Sequence, residues 1–373
     1  MSTYNMEKQH KLGKLHALER ICMLLDEDSF REIGSNITNL EDAFNIKKGQ
    51  FPYDGVITGY GTIEGNLVYV YSQDASVLGG SMGEMHAKKI SNIYSMAVKM
   101  GAPVIGLIDC AGLRLQEAFG EIYKKQTLAS GVIPQITAVF GTCGGGMAVS
   151  SAMADFVFME SKKAKLFVNS PNAIDGNRIE KCDTSCAAFQ SEEAGLADFT
   201  GSEDEILSQI RELVSILPAN NEDDMSYSEC EDDLNRICSD IENCVGATDL
   251  ALAQISDDNF FMEVKKDYDP SMVTGFIRLN GMTVGCVANR TEVYGENGVK
   301  EGEYDAVLSY RGCEKAEKFV SFCDAFNIPL LTLVNVKGYK ASKCTERRIA
   351  KAAGRLTYAF ADASVPKVTV VVG

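Results

Sequence analysis

Two hydrophobic periods alternate along this chain. From Lys88 to Met100, the residues Ile90, Ile93, Met96, Ala97 and Met100 recur at helical spacing on one face. Gly101-Ala102-Pro103 ends that helix. Val104 to Ile108 then form an unbroken apolar run, the pattern of a strand buried on both faces. A second helix is expected over Glu117 to Leu128 and a second buried strand over Ile136 to Phe140. Upstream, Val56 to Ile63, Gly65 and Leu67 to Tyr71 read as a hairpin. Helices alternating with buried strands point to an α/β fold with a mostly parallel sheet.

The same series occurs twice. Val56 to Ile63 matches Met272 to Leu279, and Gly65 matches Gly281 at the same spacing. Ala102-Pro103-Val104-Ile105 matches Ile328-Pro329-Leu330-Leu331, so that Asp109 falls on Asn335 and Gly112 on Gly338. Pro134 to Thr137 matches Pro366 to Thr369, and Asp26 to Ile33 matches Asp257 to Val264. Ordered matches with slowly drifting spacing indicate a duplicated unit. The second copy is expected to place helices at 313–326 and 347–361 and strands at 329–334 and 368–372. Glu205 to Leu217 reads as an amphipathic helix. The turn-formers and acids after Pro218 read as a linker, which sets expected domains of 1–228 and 229–373. Gly373 aligns with Gly141, so the second domain is expected to be incomplete where its own glycine turn would begin.

Composition narrows the function. The 373 residues carry a net charge of −16, which disfavours nucleic acid as a partner. No apolar run approaches 18 residues and the first residues lack an apolar signal core, so a cytoplasmic protein is expected, at most peripheral to a membrane complex. The 12 cysteines include no C-x-x-C pair, which argues for reduced thiols and against a metal site. Of three histidines, His10 and His16 lie in the N-terminal segment and only His86 is a candidate catalyst. A capping or packing role suits His86 better, so chemistry resting on imidazole is disfavoured.

The candidate chemistry lies in glycines. Phe140-Gly141-Thr142-Cys143-Gly144-Gly145-Gly146-Met147-Ala148 follows a buried strand and opens a small-residue helix. Consecutive glycines at such a turn let backbone N–H groups face a ligand at the positive end of a helix, where an oxyanion or phosphate is stabilised. Close helix–strand packing alone is the other explanation. A Walker phosphate loop would need a Lys after the glycines, and none follows. Two further Gly-rich stretches are Leu78-Gly79-Gly80-Ser81-Met82-Gly83-Glu84-Met85-His86 and Asp109-Cys110-Ala111-Gly112-Leu113-Arg114-Leu115-Gln116-Glu117.

Together with Gly13-Lys14-Leu15-His16-Ala17-Leu18-Glu19-Arg20 and Phe167 to Ala173, these stretches resemble the carboxyltransferase subunits of biotin-dependent acyl-CoA carboxylases and decarboxylases. The family includes propionyl-CoA carboxylase beta and the alpha subunits of methylmalonyl- and glutaconyl-CoA decarboxylases. The resemblance spans Gly13 to Gly373. It implies two crotonase-like domains of ββα repeats and catalysis by backbone oxyanion holes, one for an acyl-CoA enolate and one for biotin. Carried over by position, Gly145 and Gly146 supply the acyl-CoA hole, and Ala111, Gly112, Gly144, Gly79 and Gly80 line the substrate pocket. Arg114 and Glu117 are expected as a loop-ordering pair rather than catalysts. Gly338 and Tyr339 are weak candidates for the biotin side. The implied cofactor is biotin on a separate carrier, with a CoA thioester as substrate. The implied partners are a biotin carboxyl carrier protein, a biotin carboxylase or membrane decarboxylase subunits, and further copies of the chain.

The departures fall mainly in the second domain. The family's V-P-G-F-x-P-G-x-x-Q-E is replaced by Val336-Lys337-Gly338-Tyr339-Lys340-Ala341-Ser342-Lys343, and Lys337 to Arg355 holds seven basic residues and one Glu. A solvated helix face is favoured slightly there over contacts to CoA phosphates or an acidic partner. Two other functions stay open from sequence: a biotin-independent crotonase-type acyl-CoA enzyme using a side-chain base such as Glu117, and a non-catalytic subunit.

Overall fold

The computed structural model describes residues 5–40, 47–114, 117–223, 229–233, 235–239, 241–295 and 297–372, without the side chains of 117–119. The chain divides into two compact units, Met1–Glu222 and Asp223–Gly373.

In the first unit, helices α1 (Met6–Lys11) and α2 (Ala17–Leu24) precede strands β1 (Arg31–Ile33), β2 (Val56–Ile63) and β3 (Asn66–Gln73). Then follow α3 (Glu84–Met100), β4 (Val104–Cys110), α4 (Glu117–Ala129), β5 (Gln135–Gly144) and α5 (Gly146–Ala152). Strands β6 (Phe156–Glu160), β7 (Lys165–Phe167) and β8 (Phe199–Gly201) and helix α6 (Glu203–Ile216) complete it. The sheet runs β1-β2-β3-β4-β5-β6-β8, with β7 pairing the far end of β5. The β1–β2 and β2–β3 pairs are antiparallel and the rest parallel.

The second unit contains α7 (Thr248–Ile255), β9 (Met262–Val264), β10 (Met272–Leu279) and β11 (Met282–Asn289). Next come β12 (Glu292–Tyr294), β13 (Lys300–Glu303), β14 (Val307–Leu308), α8 (Tyr310–Ala325) and β15 (Leu330–Val334). Last are β16 (Gly338–Tyr339), α9 (Lys343–Glu346), α10 (Ile349–Asp362) and β17 (Lys367–Val371). Its main sheet runs β9-β10-β11-β15-β17.

Strand register shows that the duplication is structural. Val56 pairs Gln73 in the first hairpin, and Met272 pairs Asn289 in the second. Tyr69 lies beside Val104, and its counterpart Gly285 beside Leu330. Val104 lies beside Gln135, and Leu330 beside Lys367. Each pairing keeps the spacing of the sequence matches. Because side chains alternate faces along a strand, a slip of one residue would have turned each copy inside out.

The main difference from the sequence expectation lies at β5. The strand does not end at Phe140 but continues to Gly144, because Thr142, Cys143 and Gly144 pair with Lys165, Leu166 and Phe167 of β7. Most of the glycine segment is therefore strand, and the turn is confined to Gly145. Helix α3 begins at Glu84, four residues before the apolar periodicity is visible.

Beneath the carboxyl end of β4 lies a buried ionic cluster. Asp109, 3% exposed, accepts from Lys14 Nζ at 2.9 Å and from the Thr142 N–H at 3.2 Å, with Arg20 Nη1 at 3.9 Å. Arg20, 1% exposed, donates to Glu203 at 2.8 Å and lies over the Phe140 ring. A Cβ at Gly141 would fall 1.9 Å from Asp109 Oδ1 and 2.4 Å from Lys14 Nζ. Glycine there is what lets the pair close. Among the described residues, no helix is long and apolar enough to cross a membrane.

Gly141→Ala should therefore cost at least about 3 kcal/mol in urea unfolding, because it pushes apart a buried pair. Gly354→Ala, on α10 with no atom near its Cβ position, should instead stabilise by about 0.5–1 kcal/mol.

Candidate functional site

The candidate site of the first unit lies where β4 and β5 end side by side. Cys110 is paired with Cys143, and a Cβ on Gly144 would stand 3.7 Å from the Ala111 carbonyl oxygen. The loop Leu78–Met82 joins them from the other side. The Ala111 N–H donates to the Gly79 carbonyl at 2.9 Å, the Met82 N–H to the Gly112 carbonyl at 2.9 Å, and the Arg114 N–H to the Met82 carbonyl at 2.8 Å. The approach is close enough that a Cβ on Gly80 would lie 2.0 Å from the Asp109 carbonyl oxygen. Gly79, Gly80, Ala111, Gly112, Gly144, Gly145 and Gly146 thus come from three segments that meet at adjacent strand ends.

Their N–H groups are not equivalent. Gly145 has φ 62° and ψ −127°, a conformation suited to glycine, and its N–H donates to the Phe167 carbonyl at 2.9 Å as the last rung of the β5–β7 ladder. The expected Gly145–Gly146 donor pair is thereby reduced to Gly146. The Gly146 N–H opens α5 and finds no acceptor among the described residues, as the first N–H groups of a helix do not. Gly112, at φ 130°, likewise carries an N–H with no acceptor among the described residues. Gly112 and Gly146 thus each leave a backbone donor open among the described residues, one at each strand end. Phe167 and Tyr123 close around them. The Phe167 ring would stand 3.3 Å from a Cβ on Gly144, and Tyr123 Oη donates to the Gly146 carbonyl at 2.6 Å.

Side chains that could act as acids or bases are held by the scaffold. His86 is fully buried, with Nδ1 2.9 Å from the Asp54 carbonyl and Nε2 3.1 Å from Gln73 Nε2. Those contacts assign a neutral ring donating through Nδ1, and burial pushes its pKa down to about 3. His16 is more constrained than its position in the sequence suggests. It is fully buried and caps α2, accepting from the Leu18 N–H, while Nε2 faces Asp74 at 3.1 Å. Arg114 donates to Asp54 and to the Ser81 carbonyl, pressed against Gly83. Its described carboxylate partner is Asp54, and the side chain of Glu117 lies outside the described residues. Lys88 is surface-paired with Glu84 at 2.6 Å. Lys89 is buried over the Tyr53 and Val56 carbonyls, and its pKa falls to about 8 through burial.

In the second unit, Gly338 and Tyr339 form β16 beside β14 and are exposed. They occupy the register of Gly112 and Leu113, because the β14–β16 pair repeats the Met82–Leu113 bridge. A cavity of about 830 Å³ lies alongside, lined in part by Asp269, Ser309, Tyr310, Arg311, Lys340 and Ser342.

Residues 8–373 match the carboxyl transferase domain family. The chain is 36% identical to the methylmalonyl-CoA decarboxylase subunit alpha of Veillonella parvula, over 98% of this chain and 74% of that protein. It is 38% identical to the propionyl-CoA carboxylase beta chain of Roseobacter denitrificans, over 98% and 73%. Its fold superposes on transcarboxylase 12S, a hexamer solved with hydrolysed methylmalonyl-CoA bound, with TM-score 0.90 and 33% identity over 98% of this chain and 72% of that one.

The neutral His86 gives the fold a pH signature. In the unfolded chain its pKa is near 6.5, so acid protonates the unfolded state first and stability falls as pH drops below that value. Between pH 7 and pH 5 this one group should remove about 2 kcal/mol. Lys89 is already protonated in both states over that window and adds no slope. Urea unfolding at the two pH values measures the effect, and His86→Asn should flatten it.

Proposed function

The chain belongs to the carboxyl transferase family, and we propose that its first unit holds an acyl-CoA thioester at the ends of β4 and β5. There the N–H groups of Gly146 and Gly112 donate to the enolate oxygen. The protein is a biotin-dependent acyl-CoA carboxyltransferase, which moves CO₂ between carboxybiotin and the α-carbon of a short acyl-CoA. The observation that carries the site assignment is the pair of backbone donors without acceptors at adjacent strand ends, in a unit where both buried histidines are already engaged.

Fixed N–H dipoles suit this reaction because the negative charge on the thioester oxygen appears only as the α-carbon becomes a carbanion. They are oriented before substrate arrives, so little reorganisation is needed. Gly79, Gly80, Gly144 and Ala111 keep the pocket walls free of bulk beside the thioester. Gly145 acts on the site by geometry: its turn and its bond to Phe167 aim the following N–H outward. Arg114 acts as a positioning residue, holding Leu78–Met82 against Ala111–Arg114 through Asp54 and Ser81.

Biotin, when bound, supplies CO₂ from its ureido nitrogen or receives it there. The second unit fits such a guest in outline. Gly338 repeats the place of Gly112, and the adjacent cavity offers Tyr310, Arg311 and Ser342 to a polar ring. We assign the working assembly as a homo-oligomer serving a biotin carboxyl carrier protein, with a biotin carboxylase or a decarboxylase membrane subunit as the other partner.

Transfer of labelled carboxylate between methylmalonyl-CoA and biocytin tests the function, and no transfer with any short acyl-CoA would overturn it. Gly146→Pro removes the N–H at a first-turn helix position that accepts a proline ring. It should lower kcat by about 10²–10³ with KM for the CoA ester little changed.

A further inference from the structure

Around and after Gly338 and Tyr339 the surface changes character. Lys337, Lys340 and Lys343 on the loop and α9, then Arg347, Arg348, Lys351 and Arg355 running into α10, are all exposed. None of the seven forms an ion pair among the described residues. Only Arg348 has a side-chain partner there, the Tyr310 ring at 5.1 Å. This concentration occurs in a chain of net charge −16.

The arrangement opposes local stability. Lys351 and Arg355 are an i,i+4 like-charge pair on α10, and Arg348 and Lys351 an i,i+3 pair, each unfavourable for a helix. Arg347, Arg348 and Lys351 crowd the start of α10, where the helix dipole favours anions. A sequence selected only for a soluble helix face would intersperse acids, as Glu84 and Lys88 do on α3.

The extent and setting of the ridge narrow its partner. Seven cations spread over a loop, a short helix and two turns of α10 exceed what one phosphate group can engage. A chain of net charge −16 disfavours an extended polyanion such as nucleic acid or a broad anionic membrane. A compact acidic protein face fits seven clustered cations without engaging the whole chain. The ridge also begins at the second-unit counterpart of the acyl-pocket loop, next to the cavity lined by Lys340, Ser342 and Thr345.

We propose that the ridge from Lys337 to Arg355 is the docking surface for an acidic face of the biotin carrier, steering the carried biotin to the second unit. This rests on the reading of the second unit as the biotin side. Steering of this kind acts on the encounter rate and weakens with salt.

The test uses the triple variant Lys343→Glu, Lys351→Glu, Arg355→Glu, which spares Arg348 and its ring contact. Carboxyl transfer from methylmalonyl-CoA is followed to two acceptors, biocytin and a biotinylated acidic carrier domain, at 20 and 300 mM salt. Carrier binding is measured separately by biolayer interferometry. The expected result is a fall of about 10–100-fold in kcat/KM for the carrier at low salt and loss of its salt dependence. Transfer to biocytin should stay within twofold. An unchanged carrier rate, an equal fall with biocytin, or weakened CoA binding in place of carrier binding would each overturn the proposal. If the wild type transfers to neither acceptor, the functional reading fails. The docking claim is then decided by interferometry, where salt-sensitive carrier binding lost in the triple variant upholds it and unaltered binding refutes it.

Discussion

The first unit depends on one buried carboxylate. Asp109 stands at the carboxyl end of β4, and through it Lys14, Arg20 and the Thr142 N–H are drawn to one point. Arg20 passes the constraint to Glu203 at the start of α6. The N-terminal segment, the two central strands and the last helix of the unit are thereby tied beneath the glycine segments of the candidate site. Buried ions are expensive when unpaired, so this cluster holds the ends of β4 and β5 together or not at all. With those ends fixed, the N–H groups of Gly112 and Gly146 are left without an acceptor among the described residues.

The duplication shows which of these devices is general and which is particular. Both units share strand order, register and the placement of the helix before the fourth strand. Their buried charges differ. Asp74 in the first unit meets His16 and Tyr53. Arg290, at the matching hairpin position, meets Asp249 and Glu263 with the signs reversed. Lys89 and Lys315 hold equivalent helix positions. Lys89 rests on two carbonyls, whereas Lys315 Nζ has no hydrogen-bond partner among the described residues, and burial lowers its pKa to about 7. The backbone plan was kept while the polar interior was rebuilt, as expected if sheet geometry serves both sites and each site binds a different guest.

Much of the plan was legible in the sequence because strands and repeats are written in local apolar pattern. Val104 to Ile108 and Leu330 to Val334 announce themselves, and their spacing carries the register of both sheets. The three Gly-rich stretches were also visible, since only glycine tolerates the approach of Gly80 to Asp109 or the turn at Gly145. Less accessible was anything set by partners distant in sequence. The extension of β5 to Gly144 depends on β7, and the loss of the Gly145 N–H as a donor follows from the same pairing. His16 reads only as part of the N-terminal segment, yet it is held by Asp74, 58 residues away. The start of α6 was available: Ser202 and Glu205 form a capping box, a signal written in four residues.

In the proposed reaction, backbone donors rather than an imidazole or a carboxyl group stabilise the developing negative charge. The direct measurement is a crystal structure of the protein with a CoA analogue whose thioester is replaced by a stable oxyanion mimic. The mimic's oxygen should lie about 3 Å from the Gly146 nitrogen and within hydrogen-bond reach of the Gly112 nitrogen. An oxygen bound instead by a side-chain donor, with both glycine N–H groups facing water, would contradict it.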